Sequence, residues 1–173
     1  MGFATAMLAG AENSQHLLAR RAGGDDAPTI LLMGHVDTVF EVDHPFKAFT
    51  RTQGLATGPG VGAKGGVVGI LALLDGLKPL GLLDAFDFRI LVTTDGESQS
   101  HTSAALVDRV AQGAEIALVF EPTADKGHLI NARAGGGQFL LQVAGRASEA
   151  STRVLAGRNA ILELAQKIPR IDA

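Results

Sequence analysis

One histidine and several carboxylates follow three apolar segments of the sequence, at the point where each segment ends. His35 and Asp37 come directly after the first segment, Asp95 and Glu97 after the second, and Glu121 after the third. Imidazole and carboxylate side chains are the ligands that zinc accepts where no thiolate is present. If the three segments are neighbouring strands, these side chains meet at one sheet edge and could hold a metal ion.

Each of these groups also has a plain structural explanation. A histidine two residues before an aspartate is more often part of a polar loop than of a metal site. Asp95 or Ser98 could cap the helix that follows, with Glu97 near its positively polarised amino end. His16 has no such carboxylates around it, and we interpret it as structural. Only the convergence of the three segments favours metal chemistry.

A glycine-rich turn lies between the first two segments, at residues 58–66. It leads into a predicted helix, whose amino end could attract an anion or a carboxylate. The turn is not a phosphate-binding P-loop, because Ala63 precedes Lys64 and Gly65 follows it, where glycine and a hydroxyl residue are needed. A packing turn is the simpler interpretation.

Apolar patterns predict the elements that position these side chains. Continuous apolar runs at 29–33, 88–93 and 116–120 predict strands that are buried on both faces of a parallel sheet. Between them, apolar residues recur at helical spacing, at Val67, Ile70, Leu71, Leu74 and Leu77 and again at Ala104, Leu106, Val107 and Val110. Strands that alternate with helices predict an α/β fold with a mainly parallel sheet flanked by helices.

The pattern changes after Pro122. Residues 127–132 and 138–144 alternate like half-exposed antiparallel strands, with three glycines between them at 135–137. A helical stripe then runs from Asn159 to Ile168 and is predicted to stop at Pro169. We expect a domain boundary near Ala134, with the beginning of a smaller α+β domain beyond it, because one strand and one helix cannot form a core alone.

Composition excludes several classes of protein. Of the 173 residues, 46% are hydrophobic and 19% are charged, which predicts a folded domain rather than a disordered chain. The net charge of −3 offers no basic surface to a nucleic acid, and the lack of cysteine excludes thiolate metal sites. Because we find neither a secretory signal nor an apolar stretch of about 18 residues, we expect no membrane partner and a cytoplasmic location.

The order and spacing of these motifs resemble one family, the dinuclear zinc hydrolases that include glutamate carboxypeptidase, acetylornithine deacetylase and succinyl-diaminopimelate desuccinylase. The glutamate carboxypeptidase branch is the most similar. The matching motifs are Gly34-His35-Val36-Asp37-Thr38-Val39-Phe40, Asp43-His44-Pro45-Phe46, Gly58-Pro59-Gly60, Lys64-Gly65-Gly66, Asp95-x-Glu97, Phe120-Glu121-Pro122, Gly145-Arg146-Ala147 and Gly157-Arg158-Asn159-Ala160-Ile161.

The resemblance implies a zinc-exopeptidase-like fold, with a partial catalytic domain at 1–134 and the first strand and helix of an incomplete dimerisation or lid domain at 135–173. It also implies zinc as the cofactor. His35 would bind one zinc ion, with Asp37 behind it fixing the imidazole tautomer. Glu121 would complete this first site, and Glu97 would bind a second zinc ion. The implied substrate is a small peptide or an N-acyl amino acid, and homodimer formation is common in the family.

Four departures from the family pattern oppose catalysis. The turn at 58–66 has no carboxylate where the family has an aspartate that bridges both metal ions. Gly96 occupies the position of the general-base glutamate, and losing such a base lowers the rate about 10²–10⁴-fold. Glu149 stands where the family has a histidine from a partner subunit. The family's last zinc-binding histidine would fall beyond Ala173.

Three hypotheses about function follow. The chain could be an active zinc amidohydrolase, which its motifs favour and its active-site residues oppose. It could be a catalytically impaired or inactive family member that keeps at most one weak zinc site, which is the hypothesis that we favour. It could instead be a noncatalytic interaction module, because unpaired strand edges invite pairing with another chain. Metal content and dissociation on dilution would discriminate among the three.

Overall fold

A computed structural model of the chain describes residues 1–123, 127–132, 134–137, 139–149, 151 and 156–171. The chain divides into two compact units, Met1–Leu129 and Ile130–Ala173, where the sequence predicts a boundary near Ala134. The first unit contains the sheet and all of the predicted metal ligands. The assignment of the second unit to a dimerisation or lid domain stays a prediction.

The first unit is built on a mixed five-stranded sheet. Its strands are β1 (Ala4–Ala9), β2 (Gln15–Arg21), β3 (Thr29–His35), β6 (Asp87–Thr93) and β7 (Ile116–Val119), and β4 (Thr50–Thr52) and β5 (Leu55–Thr57) form a separate hairpin. The strand order is β1-β2-β6-β3-β7. β3 pairs in parallel with β6 and β7, whereas β2 pairs antiparallel with β1 and β6.

The predicted α/β class is confirmed, and the three strands predicted from apolar runs are the parallel ones. The sheet as a whole is mixed rather than mainly parallel, because the predicted strands are joined by two others. Neither β1 nor β2 is predicted from the sequence: β2 has only three consecutive apolar residues, whereas β1 is apolar apart from Thr5 but short and close to the start of the chain.

Two helices cover opposite faces of this sheet. α1 (Val61–Leu77) contributes Ile70 and Leu74 to a core cluster that includes Leu32, and α2 (Ala104–Ala111) packs against Leu31. Successive residues of a strand point to opposite faces, so this alternation buries β3 on both sides, as the sequence predicts. Among the described residues, no helix is both long and apolar enough to cross a lipid bilayer.

β7 is more exposed than its sequence predicts. All four of its residues are exposed, and Ile116 and Val119 keep 52% and 60% of their surface accessible. The sequence predicts a strand buried on both faces, and this expectation is wrong. The physical reason is the position of β7 at the edge of the sheet, where β3 is the one described strand that pairs with it.

In its described residues, the second unit contains one helix, α3 (Ala160–Ile171), and an isolated bridge between Arg146 and Arg158. The strands predicted at 127–132 and 138–144 do not form at any position that the structure describes there, because an isolated strand has no partner to satisfy its backbone groups. α3 also runs past Pro169 rather than stopping there. Proline removes one backbone hydrogen bond, and only two residues of the helix follow Pro169.

Candidate functional site

The candidate site lies where β6, β3 and β7 end side by side. His35, the last residue of β3, is in register with Thr93, the last residue of β6. Pairing continues past the strand ends, because the N–H of Val36 donates to the carbonyl oxygen of Thr93 and the N–H of Phe120 donates to that of Met33. The loops that carry the predicted site residues therefore start from adjacent positions on one sheet edge.

Each ring nitrogen of His35 lies close to a carboxylate. Its Nδ1 lies 2.8 Å from Oδ1 of Asp37, and its Nε2 lies 3.2 Å from Oε1 of Glu121. The His35 side chain is only 7% exposed, whereas that of Glu121 is 42% exposed. The imidazole is thus fixed from the inside by Asp37, while its Nε2 faces the more open side of the site.

Asp37 is anchored by the loop that follows β6. Its Oδ1 accepts a hydrogen bond of 2.9 Å from the N–H of Gly96, and its Oδ2 accepts one of 2.9 Å from the N–H of Glu97. Burial opposes ionisation of this carboxyl, but these N–H groups and the His35 ring outweigh it and hold the pKa of Asp37 below its usual value of 3.8.

Ionised Asp37 also determines the tautomer of His35. A carboxylate only accepts hydrogen bonds, so Nδ1 of His35 must donate to it. In the neutral ring this leaves the lone pair of Nε2 free on the side of Glu121. This is the arrangement that a metal-binding histidine needs.

Asp95 has a structural function in the same loop. Its Oδ2 accepts hydrogen bonds from the N–H groups of Thr102 and Ser103, both at 2.8 Å, and from Oγ1 of Thr102 at 2.7 Å. Asp95 is buried, which opposes its ionisation, but the bonds from Ser103 and Thr102 hold its pKa below the usual value. The carboxylate ties the loop to the two residues that precede α2, but it does not cap the helix as the alternative interpretation expects: the N-cap residue is Ser103, and no side-chain capping bond is formed there.

His16 supports this loop from β2. It is fully buried, its Nδ1 accepts a hydrogen bond of 3.3 Å from the N–H of Thr94, and its Nε2 lies 3.1 Å from Oγ of Ser14. The sequence predicts a structural histidine here but not its partner. Thr94 lies 78 positions away in the sequence, and no local pattern reports such a pairing.

The glycine-rich turn opens α1 and lies beside the residues that follow β7. α1 begins at Val61, and a Cβ atom on Gly62 would lie 3.3 Å from Cγ of Pro122. Ala63 is buried. An acidic side chain near Gly62 would therefore stand next to Glu121, but the turn contains none.

Gly96 packs directly against the imidazole of His35. A Cβ atom at residue 96 would collide with Cγ of the ring and lie 2.6 Å from Nδ1 and 2.7 Å from Cδ2. Separations this short are far inside van der Waals contact. Sequence reasoning identified the missing side chain of Gly96, but not that the ring of His35 fills the space in which it would stand.

The residues present fit part of a zinc site. The 3.2 Å between Nε2 of His35 and Oε1 of Glu121 is close to the separation of about 3.4 Å between two ligands of a tetrahedral zinc ion. In the part of the chain that the structure describes, however, no group of three or more His, Asp or Glu side chains is arranged to hold a metal ion. The structure brings His35 and Glu121 together but does not add exposed Glu97 to them. These residues do not fit a dinuclear centre.

Comparison with known proteins relates the chain to peptidases. It is 33% identical over 150 residues to carboxypeptidase G2 of Pseudomonas sp. (strain RS-16), a match that covers 85% of this chain and 36% of that protein. The chain thus spans about a third of the length of this curated relative.

Solved structures show the same fold. A tripeptidase from Staphylococcus aureus subsp. aureus Mu50 superposes with a TM-score of 0.67 at 18% identity, over 98% of this chain and 47% of that one. Human carnosine dipeptidase 1 gives a TM-score of 0.53 at 17% identity, over 70% of this chain and 30% of that one. The Saccharomyces cerevisiae dipeptidase Dug1p gives a TM-score of 0.54 at 16% identity, over 70% of this chain and 29% of that one.

The family itself is identified by a sequence profile. Residues 31–167 match the profile of peptidase family M20/M25/M40, and this segment contains His35, Asp37, Gly96, Glu97 and Glu121. The match extends over more than half of the chain. It begins in β3 and ends in α3, so it includes β6, β7 and α1 but not β2, from which His16 supports the loop after β6. The chain therefore belongs to peptidase family M20/M25/M40.

Proposed function

We propose that this chain is a catalytically impaired member of its family, with a weak site for a single zinc ion. The substrate class to which its scaffold relates is a small peptide or an N-acyl amino acid, whose amide bond an intact member would hydrolyse. The names of its relatives, a carboxypeptidase, two dipeptidases and a tripeptidase, support this class.

The packing of Gly96 against His35 is the observation that carries this proposal. A general base must reach the attacking water through a side chain, and residue 96 has none. The nearest acidic group on this side of the ring, Asp37, is occupied by two backbone N–H groups and by Nδ1 of His35. It therefore orients the imidazole and is not free to take a proton from water.

The ligand set supports the same proposal. Family members are typically metal-dependent. Two divalent ions about 3.5 Å apart repel each other by roughly 19 kcal/mol at an effective dielectric constant of about 20, so a pair of ions depends on a bridging anion. The turn at 58–66 provides no carboxylate for this purpose. His35 and Glu121 are the residues that would hold a single zinc ion, whereas the family resemblance assigns Glu97 to the second ion.

Activity assays with added zinc test this proposal. Purified protein is incubated with zinc and assayed against dipeptides, tripeptides and N-acyl amino acids, with His35→Ala as the control for contaminating peptidases. We expect no turnover above that of His35→Ala, and zinc that is lost on dialysis. Hydrolysis that a chelator abolishes, that zinc restores and that His35→Ala lacks would overturn the proposal.

A noncatalytic interaction module is the second candidate, and the exposure of β7 favours it. On the side away from β3, no strand in the described part of the chain pairs with β7. The strand exposes Ile116, Leu118 and Val119 and contains no charge or proline to discourage pairing. Such an edge could pair with another chain, including a second copy. Sedimentation across a dilution series tests this: a concentration-dependent dimer that Leu118→Lys abolishes supports it, and a monomer at all concentrations contradicts it.

A further inference from the structure

We infer that Gly96 is a positioning residue for His35, because the present orientation of the imidazole requires glycine at position 96. A side chain at position 96 would force the ring of His35 out of that orientation. The inference goes beyond the proposed function, because it says that impairment lies in the packing of the site and not only in a missing carboxylate.

The backbone of residue 96 does not itself require glycine. Its φ lies outside the left-handed region, unlike that of Gly60 or Gly81, so an alanine there would meet no conformational strain of its own. The atoms nearest to a Cβ at residue 96 belong to one side chain. All three nearest atoms, Cγ, Nδ1 and Cδ2, are in the ring of His35.

The ring cannot easily yield to such a Cβ atom. Cγ joins the ring to the rest of the side chain, and Nδ1 and Cδ2 are bonded to Cγ, so none of these atoms is at the end of a flexible side chain. Nδ1 is engaged with Asp37, Nε2 lies 3.2 Å from Oε1 of Glu121, and the side chain is only 7% exposed. Turning the ring away would break the bond to Asp37 and leave Oδ1 of this half-buried carboxylate with only the N–H of Gly96 as its described donor.

Gly96 also contributes its backbone to the same unit. Its N–H donates to Oδ1 of Asp37, the oxygen that also accepts from Nδ1 of His35. Residue 96 thus approaches the ring closely because it must reach Asp37, and the approach is close enough only without a Cβ atom. The three residues form a closed set of contacts in which each fixes the other two.

A double-mutant cycle between residues 96 and 35 tests the inference in the full chain, without metal or substrate. Gly96→Ala should lower Tm by at least about 3 °C in the parent protein. In a His35→Ala background the colliding ring atoms are gone, and the same substitution should lower Tm by less than about 1 °C. Gly76→Ala is the matched control, because no described atom lies within 4 Å of a Cβ there.

NMR gives a readout that a merely structural role would not move. In the parent protein, the ¹⁵N shifts of the His35 ring should report a protonated Nδ1, and Gly96→Ala should change them while Gly76→Ala does not. If Gly96→Ala fails to fold, the His35→Ala/Gly96→Ala double variant should still fold as His35→Ala does. Equal losses of Tm in both backgrounds, or unchanged His35 shifts, would overturn the inference. Zinc-dependent turnover by the parent would overturn the proposed function alone.

Discussion

The backbone N–H of Glu97 donates a hydrogen bond of 2.9 Å to Oδ2 of Asp37, which joins two loops that lie 60 positions apart in the sequence. Glu97 thus contacts this site through its backbone N–H group. Its side chain is exposed and forms no group with His35 and Glu121 that could hold a metal ion. The loop after β6 serves first to fix Asp37, and through Asp37 it fixes the imidazole.

Replacing Asp37 should loosen this junction. Asp37→Asn keeps the size of the side chain but replaces one acceptor oxygen by an NH₂ group. This NH₂ group would face a backbone N–H donor, because both oxygens of Asp37 now accept from N–H groups. We expect a loss of about 1–3 kcal/mol in the free energy of unfolding, measured in urea. Asp75→Asn, at an exposed position on α1, is the control and should change little. Equal stability of the two variants would contradict the anchoring function of Asp37.

The pKa of Asp95 predicts a specific dependence of stability on pH. Its folded-state pKa lies below the usual value of 3.8, so its contribution is fully present above that value and is lost as the pH falls through the folded-state pKa. Above about pH 4, Asp95→Asn should therefore be much less stable than the parent protein. Below that pH, the stability of the parent should fall towards that of the variant. Asp108→Asn, at an exposed position on α2, should run parallel to the parent. A constant difference for Asp95→Asn would contradict the assignment.

Two adjacent glycines of α1 should respond in opposite ways to alanine. A Cβ atom on Gly66 would collide with the carbonyl oxygen of Phe120 and lie 2.9 Å from its carbonyl carbon. Gly66→Ala should therefore lower the free energy of unfolding by about 1–3 kcal/mol. Gly65 has no described atom within 4 Å, so Gly65→Ala should raise it by about 0.5–1 kcal/mol. Thermal unfolding of both variants checks the close approach of α1 to the end of β7.

Zinc binding should depend more on Glu121 than on Glu97. Oε1 of Glu121 lies next to the free Nε2 of His35, so both atoms could bind the same zinc ion. Losing a hydrogen bond to a metal ligand already weakens metal binding by about 10–100-fold. Glu121→Gln, which changes a ligand itself, should therefore weaken zinc binding at least about tenfold. Glu97→Gln should have a smaller effect. Isothermal titration of both variants measures this, and a larger loss for Glu97→Gln would contradict the ligand pair.

Sequence patterns predict the parts of the fold that depend on local spacing. The apolar runs at 29–33 and 88–93 predict β3 and β6, and the spacing of Ile70 and Leu74 predicts α1. Because parallel strands end at a common edge, the approach of His35 to Glu121 could also be expected. The exposure of β7 could not, since an apolar strand has the same sequence pattern at the edge of a sheet as at its centre.

Other features depend on contacts that have no local pattern. Gly96 can pack against the ring of His35 because residue 96 has no side chain. A single glycine in a loop gives no spacing or periodicity from which this contact could be predicted. The hydrogen bonds of Asp37 to residues 96 and 97, and of His16 to Thr94, join positions about 60 and 78 apart and follow only from the folded sheet. These contacts decide what the site can do.

A zinc-soaked crystal, with anomalous diffraction recorded at the zinc absorption edge, tests the central claim most directly. The claim is that His35 and Glu121 form a single incomplete metal site. It predicts one partly occupied peak within bonding distance of Nε2 of His35 and Oε1 of Glu121, with Gly96 still packed against the ring. Two fully occupied peaks about 3.5 Å apart, the spacing of a co-catalytic pair, would contradict it.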